Sequence, residues 1–244
     1  CCGGAVKLAL ELLDENAVPW LKKAADSIQN DANDAVLFPT RDLSAIPRVI
    51  SASRSISPAS GVHLQSLHDP RPQLFLFGAG HVGRSLCTIA SQLPLRLVAL
   101  DSRETMRALV PRANNVTVIH MAEPEICVRS IPCNAAVLVM THSHELDYEL
   151  CRALLKRHDL AFIGLIGSHS KAARFRHRLR KGGISPRATD GLTSPIGTSG
   201  PTSKEPGVIA LSALTEVLTV FEELGTTNQI EVNSQSDSVS NQQG

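Results

Sequence analysis

LFLFGAGHVGRSL, residues 74–86, decides how this chain is read. Four large apolar residues run into Gly78, Gly80 and Gly83, and a stretch with helical apolar spacing follows. A strand that ends in GxGxxG and opens a helix makes a tight turn and lets backbone approach a pyrophosphate. It also aims a helix N-terminus at negative charge. The next apolar run, LRLVAL (95–100), closes on Asp101. About 20 residues beyond the glycines is the place of an acid that accepts from a ribose 2′-hydroxyl, which favours NAD over NADP. Arg103 weakens that preference, because a nearby Arg accommodates a 2′-phosphate. The bland alternative is that the glycines only let helix and strand pack closely. The turn signals a fold strongly and a hydride weakly.

Working outward, strands alternate with helices from Gln73 onward. LFLF, LRLVAL, VTVI, AAVLVM and LAFIGLIG read as strands. VGRSLCTIASQL reads as a helix, with Val82, Leu86, Ile89 and Leu93 on one face, as do HELDYELCRALLKRH and SKAARFRHRLRKGG. This alternation predicts an α/β fold with a Rossmann-like, doubly wound parallel sheet. Residues 184–204, rich in Gly, Pro, Ser and Thr, read as a long loop, and 205–224 as a last helix. Before the sheet, a smaller α+β domain is expected over 1–67. It has a strand in AVKLALELL (5–13), where a helix competes, a helix in PWLKKAADSIQ (19–29), and short strands in VLFPT, RVISAS and VHLQSL. HDPRPQ (68–73) reads as the linker, 74–225 as the Rossmann-like domain, and 226–244 as a disordered tail.

Composition narrows the classes of function. The net charge is +1, the pI about 7.8, and aromatics are 3% of residues, so nothing points to nucleic acid. No apolar run approaches the roughly 20 residues that span a bilayer, and no basic start with an apolar core marks a secretory signal. The six cysteines, at 1, 2, 87, 127, 133 and 151, form no CxxC pair. A cytoplasmic protein is expected. The sequence opens at Cys1 without an initiator Met and reads as a piece of a longer protein.

Four segments offer chemistry. Gly78, Gly80, His81 and Gly83 form the first turn. THSHELD (141–147) follows a strand whose carboxyl end should line the crevice, turning Thr141, His142 and His144 toward a ligand. His142, His144 and Asp147 form a weak metal set, and Asp147 equally suits a solvent-facing helix position. Thr141 or Ser143 is a natural N-cap. Gly167, Ser168 and Lys171 form a second strand-to-helix turn suited to an anion. The helix after it carries Lys171, Arg174, Arg176, Arg178, Arg180 and Lys181 around an apolar stripe of Ala172, Phe175 and Leu179, which suits a solvated face. Cys1-Cys2-Gly3-Gly4 presents adjacent thiols that suit a soft metal or a sulfur donor. The later four cysteines read as small core residues. No HExxH, serine elbow or paired-carboxylate pattern occurs.

Together, CCGGAVKLALELL, LFLFGAGHVGRSL, ALDSRE, VLVMTHSHELDYELC, AFIGLIGSHSKAARFRHRL, SPIG and SKEPGVIALSALTEVL, in this order, resemble the XdhC/CoxI family. The nearest branch is the one accessory to xanthine dehydrogenase. The resemblance implies a chaperone that binds the molybdenum cofactor (its molybdopterin form) as cargo, favours the sulfurated form and delivers it to xanthine dehydrogenase apoenzyme. It further implies a homodimer, a cysteine desulfurase as a partner, and a cofactor contact by Cys1 or Cys2 to the molybdenum. The terminal phosphate of the pterin would then meet Gly78–Gly83 or Gly167–Lys171. Where the family has Cys-Pro-Ile-Gly, this chain has Ser194-Pro195-Ile196-Gly197. Two other readings stand beside this one. One is an NAD-dependent oxidoreductase of unknown substrate, built on the three glycines and Asp101. The other is a nucleotide-sensing scaffold without turnover.

Overall fold

The computed structural model describes residues 13–29, 32, 34–39, 45–51, 62–67, 69, 71–198, 200–201 and 203–240, the side chains of 29 and 226–240 apart. The Cys1-Cys2-Gly3-Gly4 start and the strand read over 5–13 fall outside these residues, Leu13 apart. The chain divides into two compact units, Cys1–Pro70 and Arg71–Gly244.

In the first unit, α1 (Val18–Gln29) accompanies an antiparallel sheet of β1 (Asp34–Pro39), β2 (Arg48–Ser51) and β3 (Val62–Ser66), in the order β2-β1-β3. Ala24, Val36 and Val49 form its small core, with Trp20, Phe38 and Leu67 packed against them. Ser27 Oγ donates to Asp34 Oδ2 at 2.7 Å and pins the helix to the central strand.

The second unit carries a six-stranded sheet. Its strands are β4 (Gln73–Phe77), β5 (Arg96–Asp101), β6 (Val116–His120), β7 (Ala136–Val139), β8 (Phe162–Leu165) and β9 (Leu192–Thr193). The order is β6-β5-β4-β7-β8-β9 and every pairing is parallel. Between them run α2 (His81–Ala90), α3 (Glu104–Arg107), α4 (Pro124–Arg129), α5 (His144–Leu154), α6 (His169–Lys181) and α7 (Pro186–Asp190); α8 (Pro206–Ser240) follows β9. This is the expected doubly wound Rossmann-like sheet. Alternate residues of β4 serve opposite faces, as a pleated strand requires. Leu74 and Leu76 pack with Leu86 and Ala90 of α2 and Ala213 and Leu214 of α8. Phe75 and Phe77 pack with Leu150 and Leu154 of α5 and Phe175 and Leu179 of α6. Covered on both faces, β4 and β7 read as continuous apolar runs rather than alternating ones.

Four expectations differ from what the structure shows. The stretch 184–204 is not one loop: Ser185 caps the short helix α7, and Leu192–Thr193 add a last strand beside β8. Helix α2 stops at Ala90 and does not reach Leu93, because Leu93 and Leu95 are held in a turn. The buried Asn115 amide donates to the carbonyls of Ala90, Leu93 and Leu95 at 2.9, 3.2 and 3.0 Å. Cys133 is exposed and Cys127 half-buried; only Cys87 and Cys151 of the four are core residues. Helix α8 runs to Ser240, into the stretch 226–244 that reads from sequence as a tail.

Candidate functional site

Strand order reverses between β4 and β7, and in such sheets ligands bind outside the carboxyl ends of the strands at this switch point. The first turn stands there. Gly78 has φ +111°, and a Cβ on it would lie 2.7 Å from the Met140 carbonyl carbon and 3.0 Å from Thr141 Cα. The turns after β4 and β7 therefore touch, and only glycine fits. A Cβ on Gly83 would run into the carbonyl oxygen of Gly78, so the helix packs on the turn through that glycine. Gly80 differs from both. Its backbone is extended, with φ −69° and ψ −166°, and nothing lies within 4 Å of where a Cβ would stand. It is the N-cap of α2 and makes no side-chain cap bond, which leaves the helix start open to an outside acceptor.

Asp101, at the carboxyl end of β5, is nearly buried. Its Oδ2 accepts from Ala79 N–H at 2.8 Å and from Arg103 Nη2 at 2.7 Å. Its Oδ1 accepts from Arg103 N–H and Nε, both at 2.9 Å. Both oxygens are thus engaged within the protein, and the carboxylate holds the glycine turn in place rather than standing open to a ribose. Burial alone would push this carboxyl up; the Arg103 and Ala79 hydrogen bonds and the Arg103 charge outweigh it and bring the pKa to about 2.

The second half of the crevice is built around Asp147, whose expected solvent-facing place on its helix is overturned. Asp147 is fully buried. Its Oδ1 accepts from Thr141 N–H at 3.1 Å and Thr141 Oγ1 at 2.8 Å. Its Oδ2 accepts from Lys171 Nζ at 2.7 Å, and Lys171 also donates to the Ile166 carbonyl at 3.1 Å. One carboxylate thus joins the turn after β7 to α6 and, through the lysine, to the end of β8. Lys171 is correspondingly buried and already paired, which takes its charge from the anion site read from sequence. Gly167 lies against its stem: a Cβ there would be 2.7 Å from Lys171 Cδ.

Of the two cap candidates after β7, Ser143 is the one that caps, and Ser168 is a cap the sequence reading did not name. Ser143 Oγ accepts from Leu146 N–H at 3.3 Å, and Ser168 Oγ from Lys171 N–H at 3.2 Å. Residues His81, His142, His144, Gly167 and Ser168 are exposed, and Thr141 is half-buried. The tertiary fold thus brings Gly78 against Thr141 and ties Thr141 to Lys171. No hydrogen bond joins His142 to His144. The metal set of His142, His144 and Asp147 is not assembled, because Asp147 is turned inward. Among the described residues, no group of three or more His, Cys, Asp and Glu side chains could hold a metal ion. Cys1 and Cys2 lie outside them. Burial pushes the Cys87 thiol up to about 12 and the Cys151 thiol higher still, so neither supplies a thiolate at neutral pH. Ser194 Oγ is buried and has no hydrogen-bond partner among the described residues.

The Asp147–Lys171 pair is the site feature that the sequence reading missed. Asp147 falls four residues after the Ser143 cap, on the face shared with Leu150, Cys151 and Leu154, all buried. An acid at a core-facing helical position was the available signal.

Comparison with known proteins agrees with the fold. The chain is 29% identical over 157 residues to the uncharacterized protein YqeB of Escherichia coli K12, which is 64% of this chain and 28% of that protein. It thus spans little more than a quarter of that relative's length. The crystal structure of a xanthine dehydrogenase from Bacillus halodurans has the same fold at a TM-score of 0.58 and 22% identity, over 86% of this chain and 66% of that one. The XdhC Rossmann domain family matches residues 74–217, from Leu74 in the glycine-turn strand to the buried Val217 of the last helix. The match takes in the glycine turn, the buried aspartate and all of the parallel sheet but Gln73, and the chain belongs to the XdhC Rossmann domain family.

Proposed function

We propose that this chain acts in an accessory factor for xanthine dehydrogenase, with the sulfurated molybdenum cofactor as its cargo. The observation that carries the reading is Gly80. Its two fellow glycines are demanded by the protein's own packing, whereas Gly80 has ordinary backbone angles and empty space beside it. A glycine that the protein does not need for itself suits a ligand that needs the backbone close, such as the phosphate end of the pterin at the α2 start. At the other end of the cargo, Cys1 or Cys2 supplies a soft thiolate to molybdenum. Family membership supports xanthine dehydrogenase apoenzyme as the recipient. A cysteine desulfurase as the sulfur source, and a homodimer as the working unit, belong to the same proposal. A few exchangeable contacts suit a protein that must release what it binds. The engagement of Asp101 by Ala79 and Arg103 counts against an NAD-dependent oxidoreductase that reads ribose with this acid.

The test is retention of cofactor. The chain is expressed in a molybdopterin-producing host and purified, and bound pterin is assayed by fluorescence after oxidation. Gly80→Val and Cys1→Ser/Cys2→Ser variants are treated alike. The parent should retain pterin; Gly80→Val should melt at the same temperature as the parent and lose it, as should the double serine variant. A parent without pterin, or a Gly80→Val variant that retains it fully, overturns the proposal.

A further inference from the structure

A polar cavity opens beside α2, and its lining begins at His81, the residue that follows Gly80. Its volume is about 360 Å³, within the roughly 300–1,000 Å³ range of small-ligand sites. One wall is α2 itself: His81, Arg84, Ser85 and Thr88, which run roughly 10 Å along the helix. The rest of the lining, Leu109, Pro111 and Pro206, is apolar.

The hydrogen-bonding character of the polar wall is specific. The half-buried Arg84 guanidinium has one weak partner, Met106 Sδ at 3.8 Å from Nη1, and no carboxylate pairs with it among the described residues. It keeps most of its five donors for an outside acceptor. The two hydroxyls do the reverse. Ser85 Oγ donates to the His81 carbonyl at 3.1 Å and Thr88 Oγ1 to the Arg84 carbonyl at 3.0 Å, and with these bonds made both present lone pairs to an outside donor. The site therefore asks for a ligand with an anion at one place, hydroxyl donors at another, and a carbon skeleton that lies on Leu109, Pro111 and Pro206.

We propose that this cavity binds the phosphate monoester of a small polyol or sugar, with the phosphate on Arg84 and ligand hydroxyls donating to Ser85 and Thr88. Guanidinium and phosphate match as a fork, and the proline and leucine wall covers the skeleton's less polar face. The proposal does not depend on the cargo contact at Gly80, since it rests on Arg84, Ser85 and Thr88, one to two turns further along α2.

The experiment is calorimetric titration with ribose 5-phosphate, ribose and inorganic phosphate, each against the parent, Arg84→Gln and Thr88→Val. Ribose 5-phosphate should bind the parent and bind Arg84→Gln at least about tenfold more weakly, the scale of a lost charged hydrogen bond. Thr88→Val, on an exposed position, should weaken ribose 5-phosphate and leave inorganic phosphate unchanged. That variant carries the test should Arg84→Gln fail to fold. The proposal is overturned if the parent does not bind ribose 5-phosphate, or if it binds inorganic phosphate equally well. It is likewise overturned if Thr88→Val and a folded Arg84→Gln both bind as the parent does.

Discussion

Lys171 Nζ stands 2.7 Å from Asp147 Oδ2, and this buried contact joins the two helices that leave the crevice. Removing one member leaves the other charge without its partner in the interior. Asp147→Asn should cost about 3–5 kcal/mol, the range for breaking a buried pair. Adding Lys171→Met should restore most of that loss, because an apolar side chain of similar length has no charge to strand. Urea unfolding followed by far-ultraviolet circular dichroism reads both. A double variant as unstable as the single one would show that the pair is not what the fold depends on.

The three glycines of the first turn should separate sharply on substitution. Gly78→Ala must adopt φ +111° against the Met140 backbone, and Gly83→Ala must displace the Gly78 carbonyl. Each should destabilise by about 1–3 kcal/mol. Gly80→Ala should stay within about 0.5 kcal/mol of the parent, as a substitution that meets nothing. Equal losses at all three positions would contradict the open space beside Gly80.

Acid should weaken the clamp on the glycine turn. The Asp101 carboxyl goes from its ordinary 3.8 down to about 2 on folding. A lowered folded pKa means stability that is complete above the unfolded value and lost as pH falls toward the folded one. Asp101→Asn should therefore be less stable than the parent at pH about 6, and the gap should narrow between pH about 4 and about 2. A gap that does not change with acidification would mean that the carboxylate charge contributes nothing there.

Thiol reactivity should sort by burial. Cys133 is exposed, whereas Cys87 and Cys151 are buried with their thiols pushed up. Iodoacetamide at pH about 8 should alkylate Cys133 in the folded protein and reach Cys87 and Cys151 only after denaturation. Peptide mapping by mass spectrometry gives the order, and native labelling of Cys151 would place it wrongly in the core.

The parallel sheet was legible because each strand's apolar run is short, continuous and followed by a helix of the right period. FGAGHVG placed the first turn in the same way, since Gly78 takes a positive φ and Gly83 packs on the Gly78 carbonyl five residues away. The short elements were not legible. Leu192–Thr193 form a strand only because β8 offers an unpaired edge, and two residues carry no period of their own. Asn115 stops α2 from 20 to 25 residues away in sequence. No reading of the α2 segment alone contains that amide.

The chain's sequence by itself determined the α/β class, the place of the glycine turn and the cap at Thr141 or Ser143, because these depend on neighbours within a few residues. Only the tertiary structure decided which polar groups remain for a ligand. Asp101, Asp147 and Lys171 read as exposed chemistry along the sequence, yet each is satisfied inside the fold by groups brought from other elements. A buried charge must find partners, and the partners that lie nearest in space are the ones that linear order conceals. Gly80 and Arg84 were left with open ground instead, and at them the folded chain still has bonds to make.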